Sequence, residues 1–426
     1  MVSTRSNPVA SVVQSSEKAS RKHKRTPPGL VVSAPGKVIL FGEHAVVYGK
    51  TAIAASLGLR SYLYINERSD EKIRLHLPDL KLEEEWSRSD LVAIKALASK
   101  EGASTSEIDP TIRDEIAKLL TKVTDHNAIQ AVLAFLYLFV FLSDERQEGI
   151  DIAFRSSLPV GAGLGSSASF SVCVSTALLL HYKHMQSFGD FKVKLSLDNR
   201  KVINDWAFLS EKILHGNPSG IDNALCTYGG AQMYTKGSMK VLDGFTSLRF
   251  LLTNTNHPKN TKVQVENVRL RKEKFPELMQ HVIDAIQNVS DRFKSLFSAG
   301  NKDLTQAIFE DIEALIDMNH GLLVSAGVSH PTLELVRQIT TGHGLHSKLT
   351  GAGGGGCALT LLRQDTPASK VTKVTKDLQK QGFSCFETSV GCQGATASFL
   401  DSEDWSSTDV DDFLNNKSWR QLETLL

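Results

Sequence analysis

The stretch LPVGAGLGSSASFS, residues 158–171, sets the strongest constraint on how this chain can fold. Before it, GIDIAFRSS (149–157) alternates Ile150, Ile152 and Phe154 with polar residues, the period of a half-buried strand. After it, SASFSVCVSTALLLHYKHM is small and apolar almost all round, which predicts a helix buried on every side. The unit is therefore strand, glycine loop and core helix, and its unpaired backbone N–H groups and helix N-terminus favour an anion. Glycines let such a backbone curl until several N–H groups converge on one phosphate. A Walker A loop would add a lysine beside the serine, and none is present; G-x-G-x-x-G fails because Ser166 takes the last glycine position. A plain glycine-rich turn with a serine cap has the same local pattern, so the loop by itself leaves its ligand open.

With 426 residues, 41% hydrophobic and 22% charged, the composition is that of a globular protein long enough for two domains. Lys+Arg of 48 against Asp+Glu of 47 leaves a net charge of +1, so no global field draws the chain to nucleic acid. Cys173, Cys226, Cys357, Cys385 and Cys392 have no CxxC spacing and lie mostly in apolar or glycine-rich runs. They fit reduced core thiols of a cytoplasmic protein better than a disulfide framework or a zinc site. The longest apolar run, AVLAFLYLFVFL (131–142), is too short to span a bilayer and reads as a core helix, so no membrane role is expected. No signal-peptide pattern precedes it. The basic start, SEKASRKHKRTPPG, reads as a disordered tail, with a transit peptide or a docking arm as alternatives. The final ETLL gives no SKL-type peroxisomal address.

Along the chain, LVVSA and KVILFG read as β runs interrupted by Pro35-Gly36, and SYLYINE (61–67) and KIRLHLPDL (72–80) as further strands. Residues 112–143 are helical in period, and NRKVINDWAFLSEKILHG is a helix stopped by Gly216. The turn NPSG leads into a short helix, IDNALCTY; FLLTNTN (250–256) restarts a strand, and helices occupy 261–340. KLTGAGGGGCALTLL then gives strand, glycine loop and strand. Strands and helices mix without regular alternation, so the fold class is α+β rather than a doubly wound sheet.

Three further constellations carry chemistry. In SAPGKVILFGEHAVVYG, Lys37 is the candidate for the charge the loop lacks, while in isolation it reads as a solvated strand-end lysine. His44, beside Glu43, is a candidate base or a packed histidine. Glu211, near a helix end, and Asp222, after the turn HGNPSG, can meet in one pocket. One carboxylate then binds a cation while the other accepts a proton. Taken singly, Glu211 reads as a surface glutamate and Asp222 as a helix cap. Finally, LTGAGGGGCALTL (349–361) carries four successive glycines, which is costly as a mere linker. It implies close approach of the backbone to a ligand or to another backbone.

APGKVILFGEHAVVYG, PVGAGLGSSAS and LTGAGGGGCALTL, in this order, resemble the three motifs of the GHMP kinases. The likeness runs from about residue 30 to 400, and HGNPSGIDNA, LLTNTN and IDMN are similar to the animal enzymes that phosphorylate mevalonate. The resemblance implies a two-lobed fold: a basic tail (1–29), an N-terminal domain like a small-subunit ribosomal protein (30–235), a ferredoxin-like C-terminal domain (236–400) and an acidic extension (401–426). It implies that ATP lies on Ser156 and on Gly161, Ala162, Gly163, Leu164, Gly165, Ser166 and Ser167, with Lys37 on the phosphates. Ser167 and Glu211 would hold Mg2+, and Asp222 would be the base, with Lys37 beside it. Glu43, His44, Ser219, Lys259, Thr261, Gly353 and Gly354 would bind the alcohol substrate. A homodimer and inhibition by prenyl diphosphates at the ATP site are also implied. The alternative acceptors are phosphomevalonate or another small alcohol. A non-catalytic sensor would be expected to lose Lys37, Glu211 or Asp222, and a serine hydrolase needs a G-x-S-x-G elbow that Ser167 lacks. Two positions depart from the family: Lys259 stands for an arginine, and Asp79 for an asparagine near the nucleotide base.

Overall fold

A computed structural model describes residues 29–97, 105–144, 148–159, 161–185, 192–298, 304–400, 413, 419–424 and 426. The basic tail but for Gly29, and most of the acidic extension, lie outside these residues. One sheet runs through the molecule, and the long strand Ala52–Arg68 is its axis. Its second half pairs antiparallel with Gly149–Ser156, from Ser61↔Ser156 to Arg68↔Gly149. Its first half pairs with Ala231–Thr235, and Leu57↔Val390 joins it to the C-terminal strands. There the order is Ser347–Leu349, Cys357–Leu362, Leu248–Asn254 and Ser384–Val390, all antiparallel.

The two largest apolar cores among the described residues lie against this sheet. One gathers Val32, Leu63, Ile152 and the helices His126–Leu142 and Ser166–His181. The other gathers Phe41, Leu57, Phe250, Phe293, Ile312 and Leu359, joining the end of the first strand, Leu30–Phe41, to the C-terminal helices. The helix Ser166–His181 is buried from Ala168 to Leu180, as its all-round apolar sequence requires. Its small residues let it lie close to the first strand, where the Ser169 hydroxyl donates to the Ala34 carbonyl at 2.8 Å. Among the described residues, no helix is long and apolar enough to cross a membrane.

Two elements differ from the sequence reading. LVVSA and KVILFG form one strand, Leu30–Phe41, because Pro35 sits at a bulge: Pro35 pairs with Arg60 and Gly36 with Leu57. A bulge tolerates proline, and it re-aims the next side chain, here Lys37. Residues 112–143 divide into helices Pro110–Lys118 and His126–Leu142. Asp125 opens the second by accepting from the Ala128 N–H at 2.9 Å, so the period carries through while the helix restarts.

Candidate active site

The loop after Gly149–Ser156 reverses direction through three left-handed glycines, Gly161, Gly163 and Gly165, with φ of 72°, 73° and 77°. Ala162 and Leu164 between them turn inward and are buried, and Gly161 and Gly163 are exposed, while Gly165 is buried. No side chain caps the N-terminus of the helix Ser166–His181, so its first N–H groups stay available to an anion. Ser156 stands at the approach: its N–H donates to Asp79 Oδ2 at 3.0 Å, and its hydroxyl pairs with that of Ser61 at 2.9 Å.

The positive charge absent from the loop arrives from the bulged strand. The Lys37 N–H donates to the Leu164 carbonyl at 2.8 Å, docking strand on loop. Its side chain passes over the last loop glycine, where a Cβ on Gly165 would stand 2.8 Å from Lys37 Cγ. Lys37 Nζ then reaches Asp222 Oδ2 at 3.1 Å. Asp222 lies in the first turn of Ile221–Tyr228, brought there by the turn ending at Gly220, whose φ is 79°.

Ser167, Glu211, His215, Ser219, Asp222 and Asn223 line a cavity of about 170 Å³. Glu211 Oε2 is 3.5 Å from the Ser167 hydroxyl, and Glu211 Oε1 accepts from Ser171 at 3.3 Å. Glu211 is only 3% exposed, while Lys37 bonds to Asp222 rather than to it. Burial, and then the charge of Asp222, lift the Glu211 carboxyl to about 7. A buried carboxylate without a bonded cation, beside a serine hydroxyl and facing a second carboxylate, fits a hard divalent ion. Among the described residues no three His, Cys, Asp or Glu side chains form a metal cage. A Mg2+ completed by substrate phosphates needs only one or two protein ligands.

Lys259 lies between the two glycine-rich segments. Its Nζ would be 2.4 Å from a Cβ on Gly163 and 3.4 Å from one on Gly351. Burial, opposed by Cys357 and reinforced by the charge of Lys37, lowers its proton affinity. Thr261 follows as the exposed first residue of Thr261–Lys274, which Asn260 caps by accepting from the Val263 N–H at 3.2 Å. The four-glycine run packs closely on neighbouring residues, and a Cβ on Gly356 would stand 2.8 Å from Lys259 Cδ. A Cβ on Gly353 would meet the Val328 carbonyl at 2.0 Å, and one on Gly354 would meet Gln264 at 2.2 Å. Gly353 thus makes the close approach to another backbone, while Gly354 faces a side chain.

Glu43 is also engaged by the protein. It is fully buried, pairs with Lys348, and accepts from Asn319 Nδ2 at 3.0 Å. The next residue, His44, takes a left-handed φ of 59°, and its Nε2 lies 2.8 Å from the Ala352 carbonyl. His44 Nδ1 is buried without a partner among the described residues, and burial lowers the proton affinity of the ring. Sequence reasoning missed His215, Asn223 and Lys348. His215 follows Glu211 by four residues on one helix, a spacing that puts both on one face and gives the signal that would have found it. Lys348 had no such signal, because it meets Glu43 across 305 residues of chain.

The GHMP kinases N terminal domain matches residues 127–230, and the GHMP kinases C terminal domain matches 304–379. The mevalonate kinase of Bos taurus is 41% identical over 382 residues, covering 87% of this chain and 96% of its own. That of Candida albicans is 40% identical over 383 residues, covering 85% and 88%. A crystal structure of a mevalonate kinase is similar with a TM-score of 0.64 at 25% identity, covering 84% of this chain and 98% of that one.

Proposed function

The chain belongs to the GHMP kinase family, with mevalonate kinases as relatives, and on that premise we propose that it phosphorylates the primary hydroxyl of (R)-mevalonate with ATP. The products are 5-phosphomevalonate and ADP. The observation that carries this reading is the Lys37–Asp222 pair at 3.1 Å, set across one cavity from Ser167 and Glu211. Asp222 has the exposure a base needs to reach a substrate hydroxyl, whereas Glu211 is shut in and suits a cation.

Asp222 takes the hydroxyl proton as the substrate oxygen attacks the γ-phosphorus in line, and the bond to the ADP oxygen breaks. No phosphoenzyme is needed, because base and acceptor meet directly. Lys37 holds the Asp222 carboxylate and offers its charge to the transferring phosphoryl group. The loop from Gly161 to Ser167 cradles the nucleotide phosphates with backbone N–H groups. Ser167 and Glu211 would hold Mg2+, which when bound neutralises charge on the phosphates. Lys259, beside Gly163, supplies a second point charge but not the bidentate fork of an arginine. On the alcohol side, the unpartnered His44 Nδ1 and the Ser219 hydroxyl are polar groups for the substrate, with Glu43 next to His44 in the chain. Inhibition by prenyl diphosphates belongs to the same reading, since a diphosphate presents the loop with the oxygens ATP does. So does a homodimer.

An ADP-release assay across (R)-mevalonate, phosphomevalonate, galactose and homoserine, with and without Mg2+, tests the reading. Turnover is expected with (R)-mevalonate and only with the metal. Faster turnover of any other alcohol overturns the substrate assignment.

A further inference from the structure

Two of the cavity's polar side chains, His215 and Asn223, have no task in the proposed transfer, and His215 touches a proposed metal ligand. His215 ends the helix Leu197–His215, one turn beyond Glu211, and its Nε2 lies 3.0 Å from Ser167 Oγ. The same hydroxyl is 3.5 Å from Glu211 Oε2, beyond the usual range for an O–H···O bond. A hydroxyl has one hydrogen and two lone pairs. If the hydrogen points to Glu211, it lies between the two cation ligands, and if His215 donates to the oxygen, a lone pair is lost to the cavity. If His215 accepts the hydrogen, both lone pairs of Ser167 are left for the cavity. Glu211, meanwhile, is steadied from the other side by Ser171, which itself pairs with Ser210 at 2.8 Å.

We propose that His215 is the positioning residue of Ser167: its Nε2 accepts the Oγ–H and fixes the hydroxyl with its lone pairs toward the cation site beside Glu211. Outer partners of this kind orient a metal's ligands and set its affinity. The inference rests on the reading of Ser167 and Glu211 as Mg2+ ligands. Glycine at 216, with φ of 78°, ends the helix immediately after His215, so the ring sits at the cavity rim without a further turn of helix to cover it.

The test is Mn2+ binding in the presence of ADP, read by the electron paramagnetic resonance of free Mn2+, in the full-length protein. His215→Phe, which keeps the ring plane and removes the acceptor, is expected to loosen Mn2+ about 10- to 100-fold. His215→Gln, which keeps an acceptor, recovers most of that loss, and mevalonate binding stays unchanged in both. The double variant Ser167→Ala/His215→Phe binds no more weakly than Ser167→Ala alone. Wild-type Mn2+ affinity in His215→Phe, with weakening in Ser167→Ala, overturns the role of His215. So does full additivity in the double variant. Wild-type affinity in Ser167→Ala overturns instead the assignment of Ser167 as a ligand. Should His215→Phe fail to fold, His215→Ala is read against the same outcomes.

Discussion

The two glycine-rich segments look alike in sequence and share Lys259 as a neighbour, yet they differ in what else stands against their glycines. In the first, a Cβ on Gly161 would meet nothing within 4 Å, and the nearest atoms to those on Gly163 and Gly165 would belong to Lys259 and Lys37. In the second, Gly353, Gly354 and Gly355 are backed by Val328, Gln264 and His257. Left-handed backbone is common to both, so φ alone does not separate them. What separates them is the company of the missing Cβ: open space and two lysines surround the first segment, whereas the second sets the carbonyls of Val328 and His257 against Gly353 and Gly355 and shares Lys259 at Gly351 and Gly356.

Substitutions in the two segments should have unequal effects. The largest effect is expected where the first loop borrows its charge. Lys37→Met should lower kcat about 10²- to 10³-fold, more than it raises KM for mevalonate, as for loss of one transition-state donor. Steady-state kinetics check this, and a change confined to KM would make the lysine a mere ground-state contact. Next comes the second segment. Gly353→Ala forces a Cβ onto the Val328 carbonyl at a φ of 74°, so a loss of about 3 kcal/mol is expected in denaturant unfolding. Gly161→Ala, in open space, should cost only about 1 kcal/mol, the strain of its left-handed backbone. Equal losses at both sites would erase the distinction.

Glu211 gives the contrast a pH dependence. Its carboxyl is held at about 7 against an ordinary 4.5, so the folded chain keeps a proton that the unfolded chain releases. The stability from this group is full below 4.5 and lost as pH rises through about 7. In EDTA, Glu211→Gln should therefore be more stable than wild type at pH 8, by up to about 3 kcal/mol, and no more stable near pH 4.5. Thermal unfolding at the two pH values checks the sign.

Much of the site was legible because its parts are local. The strand, loop and buried helix announce themselves by period and by glycine, and the turn HGNPSG places Asp222 at a helix start near Glu211. The bulge at Pro35 was hidden, since proline reads as a break and only the partner strand, Ala52–Arg68, shows that pairing continues. That strand's first half was missed as well, because Gly58 and Arg60 interrupt its alternation; Arg60 turns inward to the carbonyls of Gln393 and Gly394 at 2.8 Å. The Glu43–Lys348 pair lay furthest from view. A buried ion pair between distant segments leaves no spacing to read, only two charged residues that look like surface ones.

The central claim is that Asp222, held by Lys37 at the end of the first glycine loop, accepts the substrate proton. Its most direct test is kcat of Asp222→Asn with ATP and (R)-mevalonate, alongside the dissociation constants of both ligands. A fall of about 10²- to 10⁴-fold in kcat, with both ligands still bound within a few-fold of wild type, is the predicted result. A near-normal kcat would contradict the claim and remove Asp222 from the chemistry.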